Sequence, residues 1–177
     1  MEKTIILTGF MGAGKTSVGK TLAQKTGLKL LDTDKLIEKQ EGTTISRIFQ
    51  TQGEEAFRKA ETNILKSLLK TKEKTKEPAI ISVGGGLPLR EENQTLLKNL
   101  GLVIYLQIQP STVLKRLKGD TSRPLLQGGD AQEKVTTLLT QRAPIYQKAA
   151  HLSIDVDNKT LNQIAEEILL QSNIISP

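Results

Sequence analysis

Residues 4–16 read Thr4-Ile-Ile-Leu-Thr8, then Gly9-Phe-Met-Gly-Ala-Gly-Lys-Thr16. The first run is short, apolar and β-branched, as a buried strand requires. The second matches the phosphate-binding pattern G-x-x-x-x-G-K-[ST]. Residues 17–26 follow with Val18, Leu22 and Ala23 at helical spacing. Strand, glycine turn and helix together form an anion cradle. The glycines let the backbone curl so that N–H groups point at phosphate oxygens. The helix start adds its positive dipole end. In this cradle Gly12, Ala13, Gly14, Lys15, Thr16 and Ser17 are expected to hold a nucleotide. Lys15 can reach the β- and γ-phosphates, and the Thr16 hydroxyl can ligate Mg²⁺.

Working outward, the pattern alternates between strands and helices. Strands are expected over 28–31, 78–83, 102–106 and 151–155. Helices are expected over 34–40, 45–51, from Gly53 onward, 88–99, 110–118, 131–149 and 160–170, with a frayed tail over 171–177. The glycine-containing stretch 119–130 reads as a mobile loop. Alternation of this kind predicts an α/β fold, a parallel sheet covered on both faces. Ligands of such sheets sit at the carboxyl ends of the strands. Those ends carry the phosphate loop, Asp32-Thr-Asp34 and Gly84-Gly-Gly86, so the three stretches are expected to meet in one cleft. Asp34, two residues after Asp32, is expected on the same side of an extended segment.

The 177 residues suit one domain with a real core. Aromatic residues make up 3% and Cys is absent, which excludes disulfides and thiolate metal sites and fits a reducing cytoplasm. No leader is expected before the first strand, and no apolar run reaches the ~18 residues of a membrane span. The net charge of +6 and pI of 9.5 favour anionic ligands. Scarce aromatics argue for small anions over nucleic acid, whose bases need stacking partners.

Several phosphate-loop chemistries are excluded. A GTPase would carry N-K-x-D, but Asn158-Lys-Thr-Leu161 has Leu in the last position. A motor-type ATPase would end its third strand in a carboxylate, and here Ser82-Val-Gly84 stands instead. The metal-side carboxylate is expected to be Asp32, and loss of the water-activating acid on the third strand favours transfer to a bound alcohol over hydrolysis. Arg58 lies near Glu54 and Glu61 on a helix and reads, by itself, as a surface ion pair. Arg123 falls in the loop and can swing over a γ-phosphate. His151, the single histidine, reads as structural.

The ordered set resembles the shikimate kinase family over nearly the whole chain. It comprises the phosphate loop, Asp32-Thr-Asp34, Ile48-Phe49, Gly53-Glu54-x-x-Phe57-Arg58-x-x-Glu61, Gly84-Gly-Gly86, Arg116 before Arg123-Pro-Leu, and Arg142-x-Pro144-x-Tyr146. The resemblance implies a three-layer phosphate-loop kinase fold with a five-stranded parallel sheet in the order 2-3-1-4-5. It implies a substrate-binding helical segment at about 33–61 and a lid at about 117–131. The implied reaction is transfer of the ATP γ-phosphoryl to the 3-hydroxyl of shikimate. Lys15, Asp34 and Arg123 would be catalytic. Asp34, Phe49, Phe57, Arg58, Gly84, Gly85, Gly86 and Arg142 would hold shikimate, with the two arginines on its carboxylate. Arg116 and Arg123 would join the nucleotide site, and Thr16 and Asp32 would serve Mg²⁺. A cytoplasmic monomer with no nucleic-acid or membrane partner is implied. The rivals are a kinase for another polyhydroxy acid such as gluconate, a degenerate nucleotide-binding relative, and a nucleotide-driven switch or nucleic-acid ATPase. The paired arginines with Arg-Pro-Leu disfavour the first. Retention of Lys15, Asp34, Arg58 and Arg123 disfavours the second, and the missing motifs disfavour the third.

Overall fold

A computed structural model describes residues 3–117 and 130–174, with side chains to residue 172. The elements run β1 (Ile5–Thr8), α1 (Lys15–Thr26), β2 (Lys29–Asp32), α2 (Thr33–Glu41) and α3 (Ile45–Thr75). They continue with β3 (Ala79–Ser82), a 3-10 turn (Leu87–Leu89), α4 (Glu91–Leu100) and β4 (Leu102–Gln107). The last are α5 (Pro110–Leu117), α6 (Ala131–Ala149), β5 (Leu152–Asp155) and α7 (Leu161–Ile174). The five strands form one parallel sheet in the order β2-β3-β1-β4-β5, as the resemblance implied.

Strand alternation sorts the core. Ile5 and Leu7 of β1 face one side, where they join Val18 and Leu22 of α1, Val113 of α5 and Ile164 and Ile168 of α7. Ile6 faces the other side, with Leu65 of α3 and Leu97 and Leu100 of α4. Both faces of the sheet are therefore dry, the condition for a wholly parallel sheet. A satellite cluster of Ile37, Ile48, Phe57, Ala60 and Ile64 pins α2 to α3.

Gly53 interrupts α3 with φ 82 and ψ 172, so the segment is two helices meeting at a kink, as its glycine predicts. Three boundaries depart from expectation. Pro88 lies in the 3-10 turn, and α4 starts only at Glu91. The turn is held from outside: Asn93 Nδ2 donates to Leu87 O and Gln94 Nε2 to Pro88 O. Helix α7 runs on to Ile174, past the expected tail start at 171, because Ser172 is buried and returns its hydroxyl to Ile168 O. Asp34 is not on an extended segment. Asp32 caps α2, accepting from Asp34 N at 3.1 Å, and Asp34 sits in the first helical turn. The expected lid at about 117–131 lies almost wholly outside the described residues.

Candidate active site

The phosphate loop leaves β1 at Gly9 and enters α1 at Lys15. Gly12 and Gly14 take φ 79 and φ 87, which side-chain-bearing residues rarely adopt. Among the described residues no side chain caps α1 at Gly14, so the helix start is open to an anion. Lys15 Nζ donates to Gly9 O at 2.8 Å and Phe10 O at 3.1 Å, folded back along its own loop. Arg116 of α5 braces the loop from outside, donating to Gly12 O at 2.9 Å and Val156 O at 3.3 Å.

Beside the loop, Thr16 Oγ1 donates to Asp32 Oδ2 at 3.2 Å and stands 3.4 Å from Ser82 Oγ. Parallel register brings Asp32 of β2 level with Ser82 of β3. Three oxygen groups thus converge where a hard cation with phosphate ligands would sit, a donor set that suits Mg²⁺. A cleft of about 630 Å³ spans this corner. Its walls include Gly12–Ser17, Asp32, Asp34, Ser82, Gly84, Gly85 and Arg116. Lys159, Thr160, Leu161 and Ile164 complete them at the start of α7.

The acceptor side adjoins the glycine loop after β3. Thr33 Oγ1 accepts from Gly84 N at 3.1 Å, tying that loop to α2. Gly84 has no room for a side chain: a methyl group there would meet Asp34 Oδ1 at 2.7 Å and Glu61 Oε1 at 3.2 Å. A methyl group on Gly86 would overlap the Arg58 guanidinium, 2.7 Å from Cζ. The two glycines let these charged side chains approach the backbone. Arg58 Nη1 donates to Glu61 Oε2 at 2.7 Å, and Nη2 to Glu54 Oε1 at 3.0 Å. Burial pulls the Arg58 guanidinium down, and the two glutamates more than offset it. Glu61 is 1% exposed, and burial pushes its carboxyl up to about 7 against the opposing pull of Arg58. The Phe57 ring lies 4.9 Å from Phe49 and carries the Arg58 guanidinium 5.3 Å from its centre. Arg142 of α6 lies over Phe10, 5.9 Å from the ring centre. Both guanidinium charges act on the Tyr146 hydroxyl, which donates to Gly85 O.

The cleft walls hold Gly12–Ser17, Asp32, Asp34, Gly84, Gly85 and Arg116 of the expected positions, whereas Phe49, Phe57, Arg58, Gly86 and Arg142 are not among its lining residues. Arg123 lies outside the described residues. Sequence reasoning missed Ser82, and took Glu61 only as a partner of Arg58 rather than as a buried carboxyl packed against Gly84. His151 lies at the far, amino end of β5, where its Nδ1 accepts from Val103 N at 3.0 Å. That is the structural place expected of it. Chemically, the arrangement offers an open phosphate cradle, an oxygen corner for a cation, a carboxylate over a glycine loop and two cations beyond it.

A family model for shikimate kinase matches residues 11–173. The chain is 41% identical over 167 residues to the shikimate kinase of Caldicellulosiruptor bescii, covering 94% of each chain. Among solved structures it superposes on the shikimate kinase of Acinetobacter baumannii in complex with shikimate, with a TM-score of 0.87 and 36% identity. That match covers 98% of this chain and 96% of the other. It also superposes on the shikimate kinase of Aquifex aeolicus with a TM-score of 0.78 and 30% identity, covering 98% and 99%.

Proposed function

The chain belongs to the shikimate kinase family, and from that premise we propose that its cleft transfers the γ-phosphoryl of ATP to the 3-hydroxyl of shikimate, giving shikimate 3-phosphate and ADP. The observation that carries the reading is the acceptor edge. Arg58, held by Glu54 and Glu61, is laid against Gly86 of the glycine loop whose Gly84 meets Asp34, and Gly85 of the same loop meets the phosphate cradle. A planar guanidinium fixed in this way is built for a carboxylate. We assign the shikimate carboxylate to Arg58 and Arg142, its ring to Gly84–Gly86, Phe49 and Phe57, and its hydroxyls to Asp34. The acceptor thus lies on the segment 33–61.

In the proposed reaction Lys15 leaves Gly9 O and Phe10 O for the β- and γ-phosphates. The loop amides and the start of α1 hold the same oxygens. The shikimate oxygen bonds to the γ-phosphorus as the bond to the bridging oxygen breaks. Its proton passes to the Asp34 carboxylate, and ADP departs with the bridging oxygen. Positioning and charge stabilisation supply most of the rate in such transfers. Thr16 and Asp32, with Ser82 behind them, would hold Mg²⁺, which when bound neutralises phosphate charge. Arg116 is assigned to the nucleotide, and Arg123 to the transferring phosphoryl. No described helix is long and apolar enough to cross a membrane. We take the enzyme to act as a cytoplasmic monomer of one domain, without nucleic-acid or membrane partners.

The test is ADP release in a coupled assay with shikimate, gluconate or no acceptor, on wild type and Arg58→Ala. The proposal requires release that depends on shikimate and falls at least 100-fold in kcat/KM in the variant, since a buried charged pairing is lost. Acceptor-independent release would mark an ATPase instead. Release with gluconate alone would refute the acceptor.

A further inference from the structure

Arg142, Pro144 and Tyr146 lie within about one turn of α6. Arg142 has a place in the proposed reaction; Tyr146 has none. Yet Tyr146 is fully buried, with its ring 5.2 Å from that of Tyr105. A buried phenol needs a well-placed acceptor to offset its lost hydration. The acceptor here is the carbonyl of Gly85, the middle residue of the glycine loop, at 2.6 Å. Burial pushes the hydroxyl up to about 12 against the pull of Arg142 and Arg58, so it stays a donor at any working pH.

This contact fixes more than one carbonyl. The peptide between Gly85 and Gly86 is trans and planar, so the Gly86 N–H points opposite to the Gly85 C=O. With the carbonyl held toward α6, the amide is turned away from α6. Among the described residues the amides of Gly85 and Gly86 donate to no protein acceptor, and both glycines are partly exposed. The Arg58 guanidinium lies against Gly86. On its other side the loop meets the phosphate cradle: a methyl group on Gly85 would stand 3.4 Å from Gly9 O and 3.8 Å from Met11 N. The hydroxyl is thus the side-chain tether of a peptide that lies between the two substrate sites, within a turn closed by Leu87 N donating to Gly84 O.

We propose that Tyr146 is a positioning residue for the acceptor: its hydroxyl fixes the Gly85–Gly86 peptide so that the Gly86 N–H and the two arginines present one donor surface to an anionic, hydroxylated substrate. The inference rests on the reading of shikimate as acceptor. The turn around this peptide is closed by Leu87 N donating to Gly84 O at 3.1 Å, and without the hydroxyl its middle peptide loses the side-chain tether that sets the direction of the Gly86 amide, while Gly85 O is left without its partner. The nucleotide side does not depend on this bond, because its amides belong to the loop and to α1.

Calorimetric titration with shikimate and with ADP tests this on wild type, Tyr146→Phe and Tyr105→Phe. Tyr146→Phe keeps the ring packing and removes the bond to Gly85 O together with the hydroxyl's interaction with Arg142. Tyr105→Phe removes a hydroxyl from the same ring pair without touching Gly85. The expected result for Tyr146→Phe is about a tenfold loss of shikimate affinity, the scale of one well-placed hydrogen bond, with ADP affinity within about twofold. Its KM for shikimate rises in step while its KM for ATP does not. Tyr105→Phe keeps both affinities within about twofold. Tyr146→Phe binding shikimate as wild type does overturns the proposal, as does a parallel loss of both ligands with a lowered Tm. A wild-type chain that binds no shikimate overturns the proposed function instead. Should Tyr146→Phe fail to fold, the two tyrosines of the chain offer another route. In a Tyr105→Phe background, 3-fluorotyrosine reports on position 146 alone. Its ¹⁹F resonance is expected to shift on shikimate addition, and an unmoved resonance at saturation overturns the proposal.

Discussion

Glu61 holds two opposed demands in one carboxyl. Its Oε2 accepts from Arg58 at 2.7 Å, which favours the charged form. Its side chain is 1% exposed and, among the described residues, its Oε1 has no hydrogen-bond partner, which disfavours it. Burial wins, the Asp34 charge adds to it, and the carboxyl is pushed up from 4.5 to about 7. The sign of the consequence follows from proton counts. Between pH 4.5 and 7 the folded chain holds a proton that the unfolded chain has released, so stability falls as pH rises through that window and is flat above it. In Glu61→Gln this slope is absent. Urea denaturation of both proteins from pH 5 to 8 is expected to show wild type losing roughly 1–3 kcal/mol relative to the variant. Parallel profiles would mean that Glu61 ionises freely in the folded chain.

At the scale of elements, the break in α3 decides where Arg58 points. Gly53 at φ 82 and ψ 172 sits in a region essentially reserved for glycine. The second helix starts there, carrying Glu54, Phe57, Arg58 and Glu61 in sequence. Gly53→Ala is expected to lower stability by about 1–3 kcal/mol and to raise the KM for shikimate. Denaturation and kinetics together check this, and an unchanged midpoint would show that the kink carries no strain. The break was legible beforehand because a glycine divides two helical patterns. The strand–loop–helix unit was legible because local chemistry alone demands it. Other features were hidden because their causes are not local. Ser82 comes level with Asp32 through lateral register, which no single stretch displays. Pro88 resembles a helix start, but side chains of α4 hold it in a 3-10 turn. Asp32 and Asp34 looked like alternate residues of a strand, and the same Asp32 that faces Thr16 ends the strand by capping α2. The Tyr146–Gly85 bond joins residues 61 apart in sequence.

Across the whole molecule, the parallel sheet lines up its carboxyl ends and so gathers phosphate loop, oxygen corner and glycine loop along one edge. The net charge of +6 acts on both proposed substrates, which are anions. Raising ionic strength from about 0.01 to 0.15 M shortens the screening length from about 30 to 8 Å. The kcat/KM for each substrate is therefore expected to fall over that range, while kcat stays near constant. A salt-independent kcat/KM in steady-state assays would remove steering from the account. The most direct measurement of the central claim is ³¹P NMR of the chain with Mg·ATP and shikimate, followed to completion. The account predicts one new phosphomonoester signal coupled to the proton at carbon 3 of shikimate, equal in amount to the ADP formed. Inorganic phosphate in its place, or a phosphoester on another hydroxyl, would contradict it.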